Sequence, residues 1–134
     1  MSTPSYRAAQ LGGTADEVHA AFYEALQLGD LPLLMACWAD EDDIFCVLPG
    51  GPRLVGAAAI RGAFEALLEG GSLRVAPERV RRIDSLGTSV HNVLERIDLQ
   101  TAEGRQHAWV VATNVYLKTA QGWRLVAHHA SPGR

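Results

Sequence analysis

His91, Asn114 and His129 are the side chains of this 134-residue chain best suited to catalytic proton movement near neutral pH. Imidazole titrates closer to neutrality than any other unperturbed side chain. An asparagine amide donates a hydrogen bond at any pH. Whether the three meet depends on strand pairing. If Thr101–Gly104 turns the chain between two antiparallel strands, Gln100 opposes Arg105 and His91 falls opposite Asn114. If Thr119–Gly122 does the same for the next pair, Lys118 opposes Trp123, Asn114 opposes Ala127 and Ala112 opposes His129. Side chains alternate between the faces of a sheet. One face then carries His91, Glu95, Ala112, Asn114, Tyr116, Ala127 and His129. Its alanines leave room around a few polar groups, which is the usual make-up of a small-molecule site. There His91 or His129 would transfer a proton and Asn114 would stabilise a developing oxyanion. The same three residues also fit a buried hydrogen-bonding cluster that only fixes the sheet.

Other residues are candidates for binding. Glu95 shares the face and becomes a general base if burial raises its pKa, or else sits at the rim paired with an arginine. Asp43 is the member of the acidic run 40–43 nearest the following strand, and so the one able to look into a pocket. Trp38, Phe22 and Tyr116 would form the wall. No HxH, HExxH or Cys/His spacing suggests a metal site, and no cofactor is expected.

These residues need elements to hold them. Thr14-Ala15-Asp16-Glu17 is a capping box, followed by Val18, Ala21, Phe22, Ala25 and Leu26 at helical spacing up to Gly29. Asp30 caps a second, short helix with Pro32 in its first turn. Ile44–Leu48 reads as a buried strand and Pro49–Pro52 as a turn. Gly56 to Gly70 brackets a third helix. From Leu73 the period changes from 3.6 to 2, giving strands over Leu73–Ile83, Thr88–Gln100, Arg105–Lys118 and Trp123–Ser131. Their short gaps force antiparallel neighbours. Helices followed by a strand meander make an α+β fold with the helices on one sheet face. The other face, with Trp109, Val111, Val115 and Leu117, needs a cover, which predicts a twofold homodimer through those residues.

Composition narrows the function classes. Length predicts one domain over 1–134, with 1–13 as a loose N-terminal arm. The net charge of −3 offers no basic field for nucleic acid or anionic lipid, and Arg79-Val80-Arg81-Arg82 is too small a patch to change that. The apolar run Leu31–Ala39 contains Pro32 and falls far short of the ~20 residues of a membrane span. No apolar secretory segment follows the start. Cys37 and Cys46 form neither a CxxC pair nor a disulfide framework. These features predict a soluble, cytoplasmic protein.

The order of motifs carries a resemblance. Gly29-Asp30 precedes a Leu-rich helix, and Trp38-Ala39-Asp40 leads into a strand. Pro49-Gly50-Gly51-Pro52-Arg53 and Gly56 precede the Ala57–Leu68 helix, and Gly122-Trp123-Arg124-Leu125-Val126 runs on to His129 and Ser131. From about Thr14 to Ser131 the chain resembles the SnoaL-like and ketosteroid-isomerase-like branch of the nuclear-transport-factor-2-like superfamily. The resemblance implies a cystatin-like, cone-shaped barrel, in which a strongly bent, mostly antiparallel sheet wraps the N-terminal helices around a deep pocket. It also implies dimerisation through the outer sheet face. The steroid isomerases' carboxylate base would fall in Phe45-Cys46-Val47-Leu48-Pro49, which has no carboxylate. Cys46 stands near that position. Their protonated aspartate donor falls closest to Asn114, and their helix tyrosine matches Phe22 or Tyr23.

The expected function is therefore a pocket for a small apolar organic ligand. If it is catalytic, the chemistry is cofactor-free acid/base isomerisation, cyclisation or dehydration of an apolar carbonyl-containing substrate. The alternative is a non-catalytic ligand-binding or assembly module of the same fold.

Overall fold

The structure is a computed structural model and describes residues 13–134. Apart from Gly13, the expected N-terminal arm lies outside the described residues. Helix α1 (Ala15–Leu28) opens on the expected capping box: the Thr14 hydroxyl accepts from the Glu17 amide, and the Glu17 carboxylate accepts from the Thr14 amide, both at 3.1 Å. It closes on Gly29 at φ 70°, where the left-handed turn returns two carbonyls to its amide. Helix α2 (Leu31–Ala36) is capped by the Asp30 carboxylate on the Leu33 amide. Strands β1 (Phe45–Val47) and β2 (Arg53–Val55) flank the Pro-Gly turn, and α3 (Ala57–Leu67) follows. Strands β3 (Val75–Asp84), β4 (Thr88–Thr101), β5 (Gly104–Thr119) and β6 (Gly122–Pro132) complete a sheet in the order β2-β1-β6-β5-β4-β3. Strand β1 pairs with β6 in parallel, and all other neighbours are antiparallel.

The helices bury one face of this curved sheet. Val18, Phe22, Ala25 and Leu26 of α1 form an apolar stripe that meets Leu34, Ile44, Ile60, Phe64, Val93 and Leu125 in a single core. The short edge strand β2 and the parallel β1–β6 pairing are additions to the expected meander.

The register of β4 against β5 is the expected one, with His91 opposite Asn114 and Glu95 opposite Val110. That of β5 against β6 is not. Pairing starts as expected, with Lys118 opposite Trp123 and Tyr116 opposite Leu125, but then Val115 meets Ala127 and Asn114 meets His128. Val126 is the extra residue of a β-bulge. The bulge has a tertiary cause: Leu125 exchanges both backbone hydrogen bonds with the 37–39 segment, at 2.8 and 2.9 Å, and β6 turns to β1 immediately afterwards. The one-residue slip swaps the faces of everything downstream. His128 therefore points inward, and His129 is exposed on the outer face between Val47 and Thr113.

That outer face carries a row of apolar residues across all six strands: Val55, Phe45, Ala127, Val115, Val90 and Ile83, each paired with the next. Val111 and Val115 are half-buried and Leu117 is exposed. Trp109 is half-buried under the Arg134 guanidinium, 4.3 Å from its ring centre. No helix of the described residues is long and apolar enough to cross a membrane.

Candidate functional site

Between α1, α3 and the sheet lies a cavity of about 420 Å³. Phe22 and Leu26 reach it from α1, Phe64 from α3, Leu73 from the approach to β3, and Ile97 from β4. Its walls are apolar except for two side chains, Glu95 from β4 and His128 from β6. Both are almost wholly withdrawn from solvent, at 6% and 3% exposure.

A buried chain of hydrogen bonds joins these two groups behind the wall. The Tyr23 hydroxyl donates to Glu95 Oε2 at 2.6 Å. Asn114 Nδ2 donates to the Tyr23 oxygen at 3.0 Å, and Asn114 Oδ1 is bonded to His128 Nδ1. Burial pushes the Glu95 carboxyl above its ordinary pKa, although the Tyr23 hydroxyl partly offsets this by bonding the charged form. Burial, with neighbouring His129, lowers His128 to about 4, so the imidazole is neutral at pH 7. Tyr23 is raised by burial and by the Glu95 charge, and stays a phenol.

A second polar group sits beside the first. His91 Nδ1 lies 3.2 Å from His19 Nδ1 on α1, and His91 Nε2 lies 3.9 Å from Asp16, which is itself paired with Arg82. The His19 ring packs against Tyr23, and the His91 ring against Tyr116. Burial first, and then His91, lower His19 to about 4. Burial also lowers His91, against the pull of Asp16.

The expected site residues divide accordingly. Phe22 and Glu95 line the cavity, and Tyr23 holds Glu95 from behind. The choice between Phe22 and Tyr23 resolves into two jobs, wall and hydroxyl. Asn114 is fully buried with its amide engaged on Tyr23 and His128, so it is not free to receive an oxyanion. His91 is buried against His19 and Tyr116, away from the cavity wall. His129 is corrected to the outer face by the Val126 bulge. Asp43 is exposed, because the chain dips inward only at Ile44. Trp38 borders a different recess, with Met35 and Arg61. Tyr116 and Cys46 are fully buried behind the wall, and burial, reinforced by the Glu95 charge, pushes the Cys46 thiol up to about 12.

Two residues were missed. Strict alternation along β6 would put His128 on the face opposite His129, and only the bulge turns it inward. His19 had a readable signal, since Asp16, His19 and Tyr23 fall three and four residues apart, on one face of α1. Among the described residues, no three His, Cys, Asp or Glu side chains are placed to hold a metal ion.

With this geometry in hand, comparison with known proteins gives a family. No curated protein matches the chain. Among solved structures, a Thiobacillus denitrificans protein named as a calcium/calmodulin-dependent protein kinase type II association domain is 31% identical. The match covers 90% of this chain and 96% of that one, at a TM-score of 0.81. A Streptomyces avermitilis protein named as a dehydratase of the nuclear-transport-factor-2-like family is 27% identical over 87% and 92% of the two chains, at a TM-score of 0.76. The S. rosetta calcium/calmodulin-dependent kinase II hub, 18% identical over 91% and 96%, shares the fold at a TM-score of 0.72. The SnoaL-like domain family matches residues 16–134. The chain belongs to the SnoaL-like family, within the nuclear-transport-factor-2-like superfamily and its cystatin-like α+β fold.

Proposed function

We propose that this chain is a single-domain, cytoplasmic pocket protein that binds a small apolar organic molecule and transfers a proton on it without a cofactor. The reaction class is isomerisation, cyclisation or dehydration of a carbonyl-containing substrate. The observation that carries the reading is that Glu95 and His128, tied together through Tyr23 and Asn114, both line one apolar cavity. Glu95 takes the proton from carbon and returns it, because a carboxyl raised by burial is a stronger base than one in water. Neutral His128 accepts a hydrogen bond from the substrate and orients it. Asn114 and Tyr23 are positioning residues. In this reading Glu95 and His128 replace the pair of histidines expected from parity.

The protein works as a homodimer through the outer sheet face that carries Trp109, Val111, Val115 and Leu117. The continuous apolar row across six strands supports this. At about 4.8 Å per strand the row is roughly 24 Å wide, the scale of a stable interface.

A second reading has its own support. The 31%-identical neighbour is named as a kinase association domain, so a non-catalytic binding or assembly module of the same fold is the alternative. A metabolite-binding screen on the purified protein, read by thermal shift, tests the shared part. A hit should raise the melting temperature of the wild type and not that of Val110→Trp, which fills the cavity. Turnover of that hit, lost in Glu95→Gln, supports the enzyme. Binding without turnover supports the module, and no hit at all sinks the pocket.

A further inference from the structure

The hydrogen-bond chain behind the cavity has a fixed direction, and that direction dictates what the ligand must bring. The Tyr23 hydroxyl has one hydrogen and gives it to Glu95 Oε2. Asn114 must then meet the Tyr23 oxygen with its N–H, as it does at 3.0 Å. This leaves Asn114 Oδ1 facing His128, so the shared hydrogen sits on His128 Nδ1. A neutral imidazole protonated at Nδ1 has a bare lone pair at Nε2. The hydrogens that link His128, Asn114, Tyr23 and Glu95 therefore all run toward Glu95, and His128 presents only its Nε2 lone pair to the cavity. Among the described residues nothing bonds to His128 Nε2 or to the second Glu95 oxygen, and no other polar side chain lines the cavity.

We infer that the cavity selects an apolar ligand through hydrogen-bond donors carried by the ligand, in the form of hydroxyl groups that donate to Glu95 and to His128 Nε2. Ligands that only accept, and carboxylates above all, are excluded. An acceptor facing Glu95 meets another lone pair, and an anion would be buried beside a carboxylate with no cation in the lining. A site built from buried acceptors discriminates strongly, because a ligand lacking the donor leaves them unpaired. The inference rests on the pocket reading above and narrows its substrate class to hydroxylated compounds, such as a β-hydroxy carbonyl whose hydroxyl is later eliminated.

Three probes of one shape test it: 2-naphthol, 2-methoxynaphthalene and 2-naphthoate, titrated calorimetrically into the full-length wild type near pH 8. Naphthol should bind at least about tenfold more tightly than methoxynaphthalene, with naphthoate weakest. Glu95→Gln keeps an oxygen for Tyr23 and turns an amide N–H₂ toward the cavity, so the naphthol preference should shrink at least about fivefold, in favour of methoxynaphthalene. Acidifying the wild type through the Glu95 titration, followed by carboxyl-resolved NMR, should move the ratio the same way, since a protonated Glu95 also donates. This arm does not depend on the variant folding. Equal or tighter binding of methoxynaphthalene, or a ratio indifferent to both Glu95→Gln and pH, overturns the inference and leaves the pocket standing. Failure of all three probes to bind removes the pocket as well.

Discussion

Asn114 on β5 and His128 on β6 face each other directly across the sheet, and their side chains are bonded to each other in the interior. This pairing exists only because Val126 bulges out of β6. Through Asn114 it connects a strand at the middle of the sheet to Tyr23 on α1 and from there to Glu95 on β4. Four residues from four elements thus share one set of hydrogen bonds, and removal of any one leaves a buried group without its partner.

Tyr23→Phe tests how much rests on that set. The ring still fills its space, but Glu95 loses its donor and Asn114 loses its acceptor. Leaving buried partners unsatisfied costs about 1–3 kcal/mol. Urea unfolding should show a lower midpoint at unchanged slope. The Glu95 carboxyl, freed of the hydroxyl that lowers its pKa, should titrate higher still in carboxyl-resolved NMR. A Glu95 pKa unchanged or lowered in this variant would mean that the Tyr23 bond is not formed in solution.

Acid should destabilise the protein through its histidines. His19 and His128 each fall from an ordinary 6.5 to about 4 in the folded state. Between those values the unfolded chain binds more protons than the folded one, so stability rises with pH across this window and is lost as pH falls from 6.5 toward 4. Glu95 acts in the opposite sense: its raised folded pKa costs stability as pH rises above its unfolded value of 4.5. With His91 lowered as well, three histidines against one carboxyl give a net loss on acidification. His128→Asn keeps an N–H for Asn114 but cannot titrate, so it should flatten the pH dependence by up to about 1.4 kcal/mol per pH unit. Urea midpoints measured from about pH 7 to about pH 4.5 on both proteins decide it, and parallel curves would refute the assignment of His128.

How much of this was legible in the sequence differs from strand to strand. The β4–β5 register follows from the turn at 101–104, because nothing along either strand interrupts the alternation. The α1 boundaries follow from Thr14, Glu17 and Gly29, whose side chains or backbone freedom act locally. The Val126 bulge does not follow. Its cause is tertiary, the capture of Leu125 by residues 37–39, and a valine in an apolar run carries no mark of it. The consequence for the site was large, since one slipped residue exchanged His129 for His128. Glu95, by contrast, shares the interior face with His91 in any register of β6. Its capacity to act as a base on burial is legible from that placement, whereas its partner Tyr23 is fixed only by the packing of α1 on the sheet.

The two cysteines should be chemically silent. Cys37 and Cys46 are fully buried and burial pushes both thiols up to about 12. Only the thiolate is nucleophilic. A colorimetric thiol reagent at about pH 8 should leave native protein unmodified over hours and titrate both thiols at once in denaturant. Rapid modification of one thiol in native protein would show that its surroundings open far more readily than the packing implies.

The outer face makes the last prediction. The row Val55, Phe45, Ala127, Val115, Val90 and Ile83 ends in side chains 51% and 75% exposed in the isolated chain, at Val55 and Ile83. Its centre, Val115, is half-buried between Val90 and Ala127. A lysine at position 115 would bury a charge in any interface formed there, while in a monomer the ammonium reaches water at little cost. Val115→Lys should therefore sediment as a monomer at tens of micromolar, where the wild type should sediment as a dimer, with the Tyr23–Glu95 site intact on the opposite face. A wild type that is monomeric at that concentration, or a variant that still dimerises, would place the interface elsewhere and leave the apolar row without a partner.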